Sequence, residues 1–244
     1  MPNLSLHDAL PISLISMGTA AVAANIIFVI IGWPILKAFK LSPRTYLQSL
    51  TWPNVGNVGL PLCLLAFGKE GLALSVAFFA AYIVIQLTIG VAFVSGSFSM
   101  RSLAKMPIIP ATVIATLFLA TDTTVPDWLY NTTNLIGQLT IPLMLFTLGV
   151  SLAKLRPVSL ARSTALSLLR LGMGFGVGLG LSEVMGLTGV ERGVVILQCS
   201  MPVAVFCYLF AQLYNREPEE VAGVVICSSF LAAFALPALL WYVL

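Results

Sequence analysis

The sequence predicts an all-α polytopic membrane protein of eight transmembrane spans, two of them broken near their middles and related as inverted repeats. Three observations predict it. Of 244 residues, 59% are hydrophobic and 9% are charged, against roughly 25% charged residues in a soluble domain. With mean hydropathy at +1.02, the apolar residues fall in runs of about twenty, enough for helices to cross ~30 Å of hydrocarbon and twice the length of a β-barrel strand. Finally, Pro, Gly and Asn gather at one point inside those runs, and a proline beside a serine interrupts a second.

Residues 1–13, MPNLSLHDALPIS, lack both the basic start and the long apolar core of a signal peptide. The stretch LSLHDALPIS looks like translated adapter read-through, so a non-native leader with the natural amino terminus missing is expected; an ordinary tail is the alternative. Residues 14–244 then form one transmembrane domain. Its apolar runs are 14–36, 46–67, 72–95, 107–121, 134–153, 162–182, 193–213 and 221–243. The fourth is the weakest, bounded by Pro107, Pro110 and the polar Thr121–Thr124.

Lys and Arg mark cytoplasmic loops. Loops one, three, five and seven hold Lys37, Lys40, Arg44, Arg101, Lys105, Lys154, Arg156, Arg162 and Arg216, whereas the even loops hold only Lys69 and Arg192. Both chain ends are therefore expected outside.

The second span contains Trp52-Pro53-Asn54-Val55-Gly56-Asn57-Val58-Gly59-Leu60-Pro61-Leu62. Each proline removes a backbone donor and clashes with the preceding turn, so a regular helix cannot continue. In lipid such a break survives only when buried in protein or lining a hydrated cavity. The seventh span breaks at Cys199-Ser200-Met201-Pro202-Val203. Pro53 lies seventeen residues before Glu70, and Pro202 seventeen before Glu219. Five spans apart, the breaks should run in opposite directions, as in carriers with inverted repeats and a midplane site. The rival reading is a pair of Pro kinks, with Gly56 and Gly59 allowing close packing.

Arg170 is the only ionisable residue well inside a span. An intramembrane charge is a functional candidate by default, here as counter-charge to an anion or as a gate; snorkelling to the cytoplasmic surface is the alternative. Gly172, Gly176 and Gly180, with Gly174 and Gly178 between them, form small-xxx-small faces for helix packing. Asn25, Gln86, Gln138 and Ser151 are polar candidates for a path or for interhelical bonds.

Other functions are excluded by what the chain contains. Cys63, Cys199, Cys207 and Cys227 lie in apolar runs without a CxxC pair, and His7 is the only histidine. No disulfide framework, metal centre, cofactor site or catalytic triad follows, and no enzyme activity is expected. A net charge of +3 without a basic stripe gives nothing for nucleic acid to bind.

Three blocks resemble the auxin efflux carrier family of bacterial transporters. They are Asn54–Leu62 with Phe67-Gly68; Ile141-Pro142-Leu143 through Leu148-Gly149-Val150-Ser151-Leu152; and Cys199–Phe206 with Leu209-Phe210-Ala211. The resemblance covers about residue 14 to the end. It implies ten helices in two inverted five-helix repeats, with two broken helices crossing at a substrate site, and the eight spans here would be helices three to ten. It further implies a secondary carrier, mostly for efflux, of a small organic anion or carboxylate across a bacterial cytoplasmic (inner) membrane by an elevator-like motion. Asn54 and Asn57 would bond the substrate, Gly56, Gly59 and Pro61 would shape the first crossover, Ser200 and Pro202 the second, and Arg170 would supply charge. Cys207 departs from the Asn expected of close relatives. Expected partners are the anion and the lipid bilayer, with a homodimer allowed. A membrane sensor that binds without transport, or an inactive truncated product, are the alternative functions.

Overall fold

The computed structural model describes residues 6–96, 110–111, 114, 118, 125–155 and 159–244. Helix α1 (Leu6–Ala38) opens inside the leader and ends with Lys37 in its last turn, where a cation faces the negative end of the helix dipole. Helix α2 (Pro43–Thr51) starts on a proline, whose missing N–H costs nothing in the first turn. It lasts only nine residues because Pro53 has no N–H to continue the ladder.

The chain resumes as a π-helical turn, Val55–Gly59, capped by Asn54, whose side chain accepts from the Asn57 N–H at 3.2 Å. Helix α3 (Leu60–Ile85), a second π-turn at Gln86–Gly90 and helix α4 (Val91–Ser95) follow without interruption. At 1.5 Å per residue the 41 residues from Val55 to Ser95 would reach about 60 Å, twice the bilayer core. Gly68 resolves this. Its φ of 67° and ψ of −151° belong to a region essentially reserved for glycine. A Cβ on Gly71 would stand 2.7 Å from the carbonyl oxygen of Cys63, eight residues back, where a straight helix would hold the two about two turns apart. The chain doubles back at Gly68 into two arms.

Helix α5 (Asp127–Lys154) touches the first π-turn, α3 and the segment Val205–Leu213. Helices α6 (Leu160–Val184), α7 (Gly189–Ser200), α8 (Val205–Leu213) and α9 (Pro218–Val243) complete the described chain. The packed body joins α1 to α3, α2 and α6, α6 to α7 and α9, and α3 to α7. Leu50, Trp52, Val55, Met201, Val203 and Ala204 are buried at its centre. Ile26, Ile30, Ile89, Leu168, Phe230 and Phe234 face outward, and only lipid makes such an apolar exterior favourable.

Among the described residues, five helices are long and apolar enough to cross a bilayer: Ser13–Ala38, Val55–Ser95, Asp127–Ala153, Leu160–Val184 and Pro218–Val243. The sequence predicted eight spans, and the difference has three causes. The second and third runs merge through Gly68, the seventh is split into α7 and α8, and the fourth, 107–121, lies mostly outside the described residues.

Candidate functional site

The two breaks meet. Pro53 and Val203 form an isolated antiparallel bridge, in which the Asn54 N–H donates to the Pro202 carbonyl at 2.7 Å and the Ala204 N–H to the Trp52 carbonyl at 3.0 Å. Each proline leaves one extended residue pair without helical partners, and each break satisfies the other. Two residues 150 positions apart in the chain thus lie side by side, running in opposite directions.

Four half-helix ends converge here: the C-termini of α2 and α7, and the N-termini of the Val55 turn and α8. The C-terminal carbonyls are answered one by one. Leu50 accepts from Arg170 Nη1 at 3.2 Å, Cys199 from Arg170 Nη2 at 2.7 Å, and Thr51 from the Tyr82 hydroxyl. The Gln48 carbonyl accepts from the Cys207 thiol at 3.4 Å, so this cysteine serves backbone. On the other side of the bridge, Ser228 Oγ accepts from the Val203 N–H at 3.0 Å.

Of the residues singled out in the sequence, Asn54, Gly59, Pro61, Ser200 and Pro202 are buried at this junction, while Gly56 and Asn57 are partly open. The Asn54 amide nitrogen is buried without a partner. Gly56 lies against Phe79, 3.1 Å from where a Cβ would stand, and a Cβ on Gly59 would overlap the Gln198 amide. The Ser200 hydroxyl donates back to the Ile196 carbonyl at 2.7 Å. Arg170 is fully buried, which removes the snorkelling alternative. Its Nη1 and Nη2 donate to the two carbonyls, its Nε is buried without a partner, and the guanidinium lies 4.4 Å from the Phe28 ring centroid.

Sequence reasoning missed Gln48 and Gln198. Both are fully buried with neither amide atom partnered. Their signal was there to find: each is an amide within five residues before a break proline. Tyr82 and Ser228 carried no such signal, because only folding brings them to the breaks. Asn25 and Gln86 are buried, whereas Gln138 is exposed on α5.

Two cavities flank the crossover. One of about 300 Å³ lies among α1, α2 and the second π-turn, lined by Asn25, Gln48, Trp52 and Phe93. The other, about 380 Å³, lies among α6, α7 and α9, lined by Phe175, Ser200, Leu236 and Tyr242.

Broken helices paired through their breaks, inside a body that is all-helical among the described residues and apolar on its exterior, define a polytopic membrane protein. Residues 91–242 match the family model described as membrane transport protein. The chain belongs to this family, the auxin efflux carriers. It is 24% identical over 202 residues to an uncharacterized transporter of Methanocaldococcus jannaschii, covering 78% of this chain and 65% of that one. It is 26% identical over 199 residues to an uncharacterized transporter of Methanothermobacter thermautotrophicus, covering 78% and 64%. The chain thus spans just under two thirds of the curated relatives it matches, and both relatives are archaeal.

Proposed function

We propose that the chain works as a secondary carrier, an efflux carrier of a small organic anion of the carboxylate class, with the substrate held where the two breaks meet. The observation that carries the proposal is the reciprocal bonding of Asn54 to Pro202 and Ala204 to Trp52. It exposes no edge to lipid, yet it leaves the positive ends of two half-helices and the unpartnered Asn54 amide available to a negative group. Asn54 and Asn57 bond the carboxylate. Gly56, Gly59 and Pro61 shape the first wall and Ser200 and Pro202 the second. Arg170 acts from behind the crossover.

The same proposal includes inverted repeats and eight spans. Three features support it: the antiparallel bridge, the equal spacing of Pro53 to Glu70 and Pro202 to Glu219, and a cavity of similar size on each side of the crossover. The basic odd-numbered loops support a cytoplasmic membrane with those loops inside.

The test is counterflow of labelled mono- and dicarboxylates into proteoliposomes. Asn57→Ala removes a hydrogen bond to a charged group, so flux should fall about tenfold or more. Unchanged flux in Asn57→Ala rejects the site. Absence of flux for every carboxylate rejects the anion carrier.

A further inference from the structure

A fully buried arginine normally has a carboxylate partner. Arg170 has none: among the described residues the ion pairs are Arg162 with Glu220 and Arg192 with Glu183, both at helix ends. What faces its guanidinium is the C-terminus of α2 through Leu50, the C-terminus of α7 through Cys199, and the π-face of Phe28.

Each helix C-terminus carries about half a negative elementary charge. Two of them converging on one point amount to roughly one, which a single guanidinium balances. In carriers with broken helices, half-helix C-termini and unwound carbonyls are where a cation is coordinated. Here the carbonyls of Leu50, Thr51, Trp52 and Cys199 already accept from protein donors. No cluster of His, Cys, Asp or Glu able to hold a metal occurs among the described residues.

We propose that Arg170 is a built-in cation: a positioning residue whose tethered charge stands between the two half-helix C-termini in place of a bound monovalent cation, so that the crossover assembles without one. The transport consequence, flux independent of Na⁺, rests on the carrier reading above. The electrostatic role does not.

The experiment is therefore thermal unfolding of the purified chain in detergent, in NaCl and in choline chloride at equal ionic strength. Wild type should melt at the same temperature in both. Arg170→Lys keeps the charge but loses the planar fork, so it should melt lower and equally in both salts. Arg170→Met leaves the negative ends uncompensated; its Tm should drop by about 10 °C in choline and recover in part with Na⁺. Na⁺-dependent melting of wild type overturns the proposal, as does an Arg170→Met variant that melts like wild type or ignores Na⁺. Should Arg170→Met not fold, an Arg170→Lys variant that folds with no salt preference supports the charge role, and one that also fails to fold overturns it. In proteoliposomes, wild-type carboxylate flux should be unchanged when choline replaces Na⁺. A melting result as expected with no flux at all would reject the carrier and leave the built-in cation standing.

Discussion

Gly174 and Gly178 stand on the face of α6 that meets α7. A Cβ on Gly174 would overlap the Cys199 carbonyl, and one on Gly178 would come within 2.9 Å of the Ile196 Cα. Gly172, Gly176 and Gly180 have nothing within 4 Å of the same position. Backbone cannot step aside as a side-chain tip can, so Gly174→Ala should lower Tm by roughly 5 °C or more through overpacking, whereas Gly172→Ala should stay within about 1 kcal/mol of wild type. Melting of the two variants side by side checks this; equal effects would mean that α6 does not pack on α7 through Gly174. The glycine run was legible in the sequence as a packing surface, but not which of its faces packs, because both faces carry the same small residues and only the position of α7 distinguishes them. Asn54 and Pro202 were legible because a polar or proline residue inside an apolar run violates the rules of lipid. Gln198 violates them as plainly, and its importance emerged only from its contact with Gly59.

The elements owe their lengths to local chemistry and their directions to single residues. Helix α2 stops before Pro53 and α7 before Pro202, as the loss of an N–H donor requires. The reversal inside α3 depends on Gly68, whose backbone conformation other residues avoid. Gly68→Ala should therefore cost about 1–3 kcal/mol, read as a Tm lowered by several degrees in thermal unfolding. A wild-type Tm in this variant would show that the turn tolerates a Cβ and that the two arms are held by packing alone. The sequence divided this segment into two spans at residues 67–72 on polarity, close to where Gly68 turns, while hydrophobic length alone would have joined them.

Across the whole molecule, orientation follows from charge and the core from pairing. The odd loops carry the basic residues, so Asn215, beside Arg216, should face the cytoplasm and Asp127, at the start of α5, the outside; both are exposed. Cysteines introduced singly at these positions should react with a membrane-impermeant maleimide from opposite sides of sealed vesicles. Labelling of both from the same side would refute the topology. Of the native cysteines, Cys63, Cys199 and Cys207 are buried and Cys227 partly so, which keeps the background low.

By itself the sequence determined the medium, the helical class and the points at which two helices must stop, because each of these is set by local composition acting against a uniform solvent, lipid. Only the tertiary structure decided what the stops are for. Two breaks 149 residues apart become partners through two backbone hydrogen bonds, and an arginine read as a substrate contact or a surface group is found donating to carbonyls at two helix ends. Those outcomes depend on which ends converge, and convergence is a property of the packed bundle, invisible to any window along the chain.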